Sequence, residues 1–160
     1  MSRLTLPTAT TAPAASQPLL GQVQAAFGAT PNMFRAVSHS PAALSAMWGF
    51  FGALGGGVLP ARLGEQIAVA VADRNGCHYC LAAHTALGRK AGASAEEMSE
   101  AQAGRSADPK TAVALAFATR LVEHRGQIGD ADVTALRDAG YSVDAFECAR
   151  DALAALLLSL

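Results

Sequence analysis

The sequence predicts an all-α fold, a single-domain bundle of about seven helices. Hydrophobic residues make up 51% of the chain and aromatics only 6%, so alanine and leucine must build the core. Small and medium side chains suit closely packed helices, whereas a sheet draws on β-branched and aromatic residues. Apolar positions also recur at helical spacing, as at Leu63, Ile67, Ala70 and Val71. A chain of 160 residues is long enough to bury one sizeable core.

Taken in order, residues 1–17 are rich in Thr, Ala, Pro and Ser and are expected to form a flexible arm. The helical domain is expected over 18–160. A first helix runs from Leu19 to Phe27 and stops at Gly28, and Pro31 opens a short second one. Ser40–Pro41 reads as N-cap and first helical residue of an apolar helix that ends at Gly55-Gly56-Gly57. Trp48, Phe50 and Phe51 on it are expected inside the protein or at a subunit contact. Leu59-Pro60 starts the next helix, and Asn75-Gly76 is its turn signal. A helix from about Cys77 to Lys90 follows, closed by Gly92. Ser94 with Glu97 three residues later is a capping-box signature. Asp108-Pro109 opens a long amphipathic helix to Gly126, and a short helix spans Asp130 to Ala139. "SVDAFECARDALAALLLSL" forms the last helix, with Cys148 as a small buried hydrophobe; its apolar end calls for a core or subunit contact.

Composition also excludes functions. Twelve basic against thirteen acidic residues, with no basic run, argue against nucleic acid as a partner. No stretch of about 20 apolar residues is present, so no membrane span is expected. No signal peptide is visible, and three cysteines make no disulfide framework. The expected setting is therefore cytoplasmic.

The chemistry concentrates in "NGCHYCLAAHTALGRKAG". On a helix turning about 100° per residue, Cys77 and Cys80 lie about 60° apart, and Cys80 and His84 about 40° apart. All three share one face. A C-x-x-C pair at a helix start closes a disulfide with little rearrangement, and the helix N-terminus stabilises a thiolate. His84 places a base one turn beyond Cys80, and Glu65 on the preceding helix reaches the same region if the Asn75-Gly76 turn lays the two helices side by side. These are the ingredients of thiol redox chemistry. The residues leave rivals open: a zinc site from Cys77, Cys80 and His84 with Glu65 or His78 as fourth ligand, and a non-catalytic helical assembly. They also leave open which cysteine attacks, since the helix dipole favours Cys77 and the base favours Cys80. His39 and His124 read as surface residues, and His78 as exposed.

The array Glu65, eleven residues, Cys77, His78, Tyr79, Cys80, three residues, His84 resembles the signature of the alkylhydroperoxidase D (AhpD) family, among the carboxymuconolactone decarboxylase-like proteins. The flanks "TPNMFRAVSHSPAALSAMWGFFGAL" and "LAFATRLVEHRGQIGDADVTALRDAGYS" extend the likeness over most of residues 28–142 and resemble the peroxidase-related subgroup. The resemblance implies an all-helical fold assembled as homo-trimers or homo-hexamers, and reduction of hydroperoxide substrates without a cofactor. It implies Cys80 as the attacking thiol, Cys77 as the resolving one, and Glu65 and His84 as a proton relay. An external dithiol, such as a lipoyl protein, would return the electrons; general disulfide reduction is the neighbouring activity. Tyr79 stands where the best-described members carry histidine, and a phenol passes a hydrogen bond but is a poor base near neutral pH. The C-terminal residues after "AGYS" also depart from the family's pattern.

Overall fold

Caps and turn residues set the helix ends in the protein much as the sequence predicts. A computed structural model describes residues 5–55 and 59–142. Among these residues are eight α-helices, one short 3-10 turn and no strand. The helices are α1 Gln17–Phe27, α2 Asn32–Val37, α3 Pro41–Gly55, α4 Ala61–Arg74, α5 His78–Lys90, α6 Ala95–Gln102, α7 Pro109–Glu123 and α8 Asp130–Asp138. The expected last helix, with Cys148 and the apolar terminus, lies outside the described residues. The chain groups into two compact units, one up to Gly56 and one from Gly57 on; the sequence reading drew a single helical domain across this glycine run.

In the first unit, Leu20, Val23, Phe34 and Leu44 are fully or almost fully buried. Phe34 is its hub. The ring lies edge-on to Trp48 at 5.8 Å and packs against Phe27 at 5.7 Å and Phe51 at 5.4 Å. Trp48 and Phe51 thus pack within the unit. Within the stretch 1–17 read as a flexible arm, the described residues from Thr5 on make specific contacts. Arg35 donates from Nε to the Pro7 carbonyl (2.8 Å) and from a terminal nitrogen to the Leu6 carbonyl (3.0 Å), and His39 Nε2 bonds the Thr5 carbonyl at 2.8 Å. Ala12 and Ser16 are buried, and the Ser16 hydroxyl donates to the Ser38 carbonyl. Local composition misses this because the partners lie 22 to 34 residues away.

The second unit is organised around α4. Every residue from Gln66 to Ala72 is buried, so this helix is covered on all sides. Helices α5, α6 and α7 all pack against it. Alanines 68, 70 and 72 keep its girth small, and Met98, Ala101, Leu115 and Ala118 close the core around it. Gly76 turns the chain at φ 64°, a left-handed value that glycine adopts without strain. That turn sends α5 back along α4.

Capping is explicit on the sequence and in space. The Ser94 hydroxyl accepts the Glu97 N–H, and the Glu97 carboxylate accepts the Ser94 N–H. At α7, Asp108 accepts the Thr111 N–H at 2.8 Å. Both carboxyls are held below the usual carboxylate range, Glu97 chiefly by the Ser94 backbone N–H and Asp108 chiefly by Thr111. A carboxyl with a lowered folded-state value stabilises the fold above its unfolded value, and that stabilisation is lost as pH falls through the folded one. The urea midpoint should therefore drop modestly on acidification below about pH 4. Asp108→Asn, which caps without titrating, should make the drop shallower in the same measurement.

Candidate active site

The first turn of α5 carries the sulfurs. Cys77 is the N-cap residue, and its Sγ accepts the Cys80 backbone N–H at 3.2 Å. The two cysteines are joined as a disulfide. The Cys77 N–H donates to the Ala72 carbonyl at the end of α4, which ties the start of α5 to its neighbour. Both cysteines are half-buried, so the bridge is reachable from solvent without being fully exposed.

One turn further, His84 Nδ1 and Glu65 Oε2 lie 2.8 Å apart. The side chains keep 27% and 24% of their surface, which shields the pair yet leaves it reachable by water. As a carboxylate Glu65 only accepts, so Nδ1 carries the hydrogen and Nε2 of the neutral ring is left as the acceptor. On α5 His84 follows Cys80 by four residues, the spacing of side chains on one helical face. Glu65, predicted to reach this region only if the two helices lay side by side, does so.

One residue absent from the sequence expectations, Gly88, allows the close approach behind that pair. Gly88 lies one turn beyond His84 on the same face and is buried. A Cβ there would stand 3.3 Å from the Glu65 Cβ and 2.5 Å from the Met98 Sδ and Cε. The missing side chain lets α4 and α6 come up to α5 at the level of Glu65. A glycine four residues after the histidine of a C-x-x-C-x-x-x-H helix is the signal that was available.

Tyr79 is placed elsewhere. It is 51% exposed, and on a helix it sits about 100° from Cys80 and about 140° from His84. His78 is exposed as expected. Among the described residues no group of three or more His, Cys, Asp or Glu is arranged to hold a metal ion. Cys77 is bonded to Cys80 and Glu65 to His84, so four of the five side chains named for a zinc site, all but His78, are engaged in two pairs. No helix of the described residues is long and apolar enough to cross a membrane.

Comparison with known proteins follows the same lines. A model of the carboxymuconolactone decarboxylase family matches residues 41–123. Among solved structures, a peroxidase-related protein of Silicibacter sp. TM1040 superposes with a TM-score of 0.84 at 26% identity, over 97% of this chain and 85% of that one. A peroxidase-related protein of Ralstonia eutropha JMP134, described as an alkylhydroperoxidase AhpD core, gives 0.82 at 26% identity over 99% and 84%. The debrominase Bmp8, solved with 2,3,4-tribromopyrrole, gives 0.84 at 19% identity over 99% and 87%, a likeness of fold. No curated protein sequence matches the chain.

The close approach at Gly88 is open to test. Gly88→Ala should destabilise the protein by about 1–3 kcal/mol through overpacking. Adding Met98→Ala to it removes the 2.5 Å contact and should recover part of that loss beyond the sum of the single changes. Urea unfolding of the four proteins in the cycle measures both quantities, and strict additivity would show that the two residues do not meet.

Proposed function

The chain belongs to the carboxymuconolactone decarboxylase family, and on that premise we propose that it is a thiol peroxidase that reduces hydroperoxides with Cys77 and Cys80. The observation that carries this reading is the joined cysteine pair at the start of α5 with a bonded His84–Glu65 pair one turn along. Two of the solved neighbours are themselves described as peroxidase-related.

The proposed cycle balances as follows. His84 Nε2 takes the Cys80 proton, and Glu65 steadies the imidazolium that forms. The Cys80 thiolate attacks the distal oxygen of the hydroperoxide. The O–O bond breaks, the sulfur is oxidised to a sulfenic acid, and the alkoxide leaves with the proton held by His84. The Cys77 thiol then attacks the Cys80 sulfur, a disulfide forms and water departs. An external dithiol, of lipoyl type, reduces the disulfide by exchange and is itself oxidised to a disulfide. A joined Cys77–Cys80 pair is the species that this last step would consume. A cytoplasmic setting suits a pair that must be re-reduced each turnover. A homo-trimer or homo-hexamer is the proposed assembly, to be read by light scattering.

Cys80→Ser should abolish peroxide consumption. Cys77→Ser should consume one equivalent and stop as a sulfenic acid on Cys80, seen by mass spectrometry after trapping. Glu65→Gln should slow the reaction by roughly a hundredfold while the helical signal is kept. Equal multi-turnover rates in Cys77→Ser and the parent protein would remove the resolving role. Disulfide reduction without peroxide turnover would move the assignment to a disulfide reductase.

A further inference from the structure

Away from the dithiol, a cavity of about 720 Å³ opens in the second unit between the start of α4, α6 and the start of α7. None of Glu65, Cys77, Cys80 and His84 lines it. Its volume falls within the range of small-molecule sites, about 300–1,000 Å³. The walls are partly apolar, with Leu59, Pro60, Leu63 and Ala107.

Most polar groups on the lining are already engaged. Arg62 pairs with Glu97, and the Glu97 carboxylate also accepts the Ser94 N–H. Lys110 Nζ donates to the Gly140 carbonyl and sits 4.7 Å from the centre of the Tyr141 ring. Asp108 caps α7. Two side chains are left over. Gln66 is only 5% exposed and lines the cavity, yet its amide makes no hydrogen bond among the described residues. Glu100, half-buried on the same lining, has no hydrogen-bond or ion-pair partner there either. A polar side chain that lines a cavity without a protein partner is usually satisfied there by water or a ligand.

We propose that this cavity is a ligand site for a small primary ammonium ion with an apolar body. The ammonium donates to the Glu100 carboxylate and to the Gln66 side-chain oxygen, and the body lies on Leu59, Pro60, Leu63 and Ala107. The charge balance favours a cation: the lining carries three acids against Arg62 and Lys110, Glu97 is paired with Arg62, Asp108 is engaged as the α7 cap, and Glu100 has neither kind of partner. A carboxylate ligand would meet Glu100 head-on. The site is separate from the dithiol, so it stands or falls independently of peroxide turnover.

The test uses the full chain and three probes of one shape: cyclohexylamine, cyclohexanol and cyclohexanecarboxylate, titrated calorimetrically at neutral pH. The ammonium should bind, the alcohol should bind about tenfold more weakly, and the carboxylate should give no binding heat. Glu100→Gln and Gln66→Leu should each weaken the ammonium by about tenfold, with unfolding midpoints showing both variants folded. Should Gln66→Leu fail to fold, Glu100→Gln alone decides. Unchanged ammonium binding in Glu100→Gln, carboxylate binding as tight as the ammonium, or no binding of any probe to the parent protein would overturn the proposal.

Discussion

The closeness of α5 to α4 is the constraint on which the candidate site depends. Helix α4 is buried along Gln66–Ala72, and its alanines keep it thin. Gly88 removes the last obstacle on the facing helix, where the Glu65 Cβ comes within 3.3 Å of an ideal Cβ position. Glu65 therefore stands at the edge of the buried run, near enough for its carboxylate to span the gap to His84 Nδ1 at 2.8 Å. Were the helices one side-chain layer further apart, the carboxylate would face water. A glutamate in water gains nothing by orienting an imidazole, whereas one held against a packed helix fixes both the ring and its tautomer.

The sulfurs see two competing influences, and the geometry separates them. Cys77 occupies the cap position, where its sulfur accepts the Cys80 N–H. That bond and the helix N-terminus stabilise negative charge on Cys77. In the proposed cycle the His84–Glu65 pair instead takes the proton of Cys80, one turn in. Under the proposed cycle these influences are complementary. Cys80 must lose its proton to attack the peroxide, and Cys77 must then attack Cys80. A cap that favours charge on Cys77 also makes it a good leaving group when an external dithiol opens the disulfide at Cys80.

The fold was largely legible because its signals are local. Gly28, Pro31, Pro41, Gly76, Ser94 with Glu97, and Asp108 with Pro109 each mark a boundary through backbone chemistry within a few residues, and helices begin or end there. The facing of Cys77, Cys80 and His84 is equally local, since helical period alone dictates it. What the sequence hid is non-local. The carbonyls of Thr5, Leu6 and Pro7 are taken by Arg35 and His39, so a segment with a linker's composition is tied down. Gly88 reads as a mild blemish in a helix until Glu65 and Met98 are seen against it.

Tyr79 shows how a departure from a family pattern can be absorbed. The resemblance placed a histidine-like relay residue at that position, between the cysteines. Its side chain is 51% exposed, while the imidazole of His84 is already bonded to Glu65. A residue at 79 projects from another side of α5 than Cys80 and His84, so a phenol there stands apart from the His84–Glu65 pair. Under the proposed cycle the proton of Cys80 passes to this bonded His84–Glu65 pair, which keeps about a quarter of its side-chain surface.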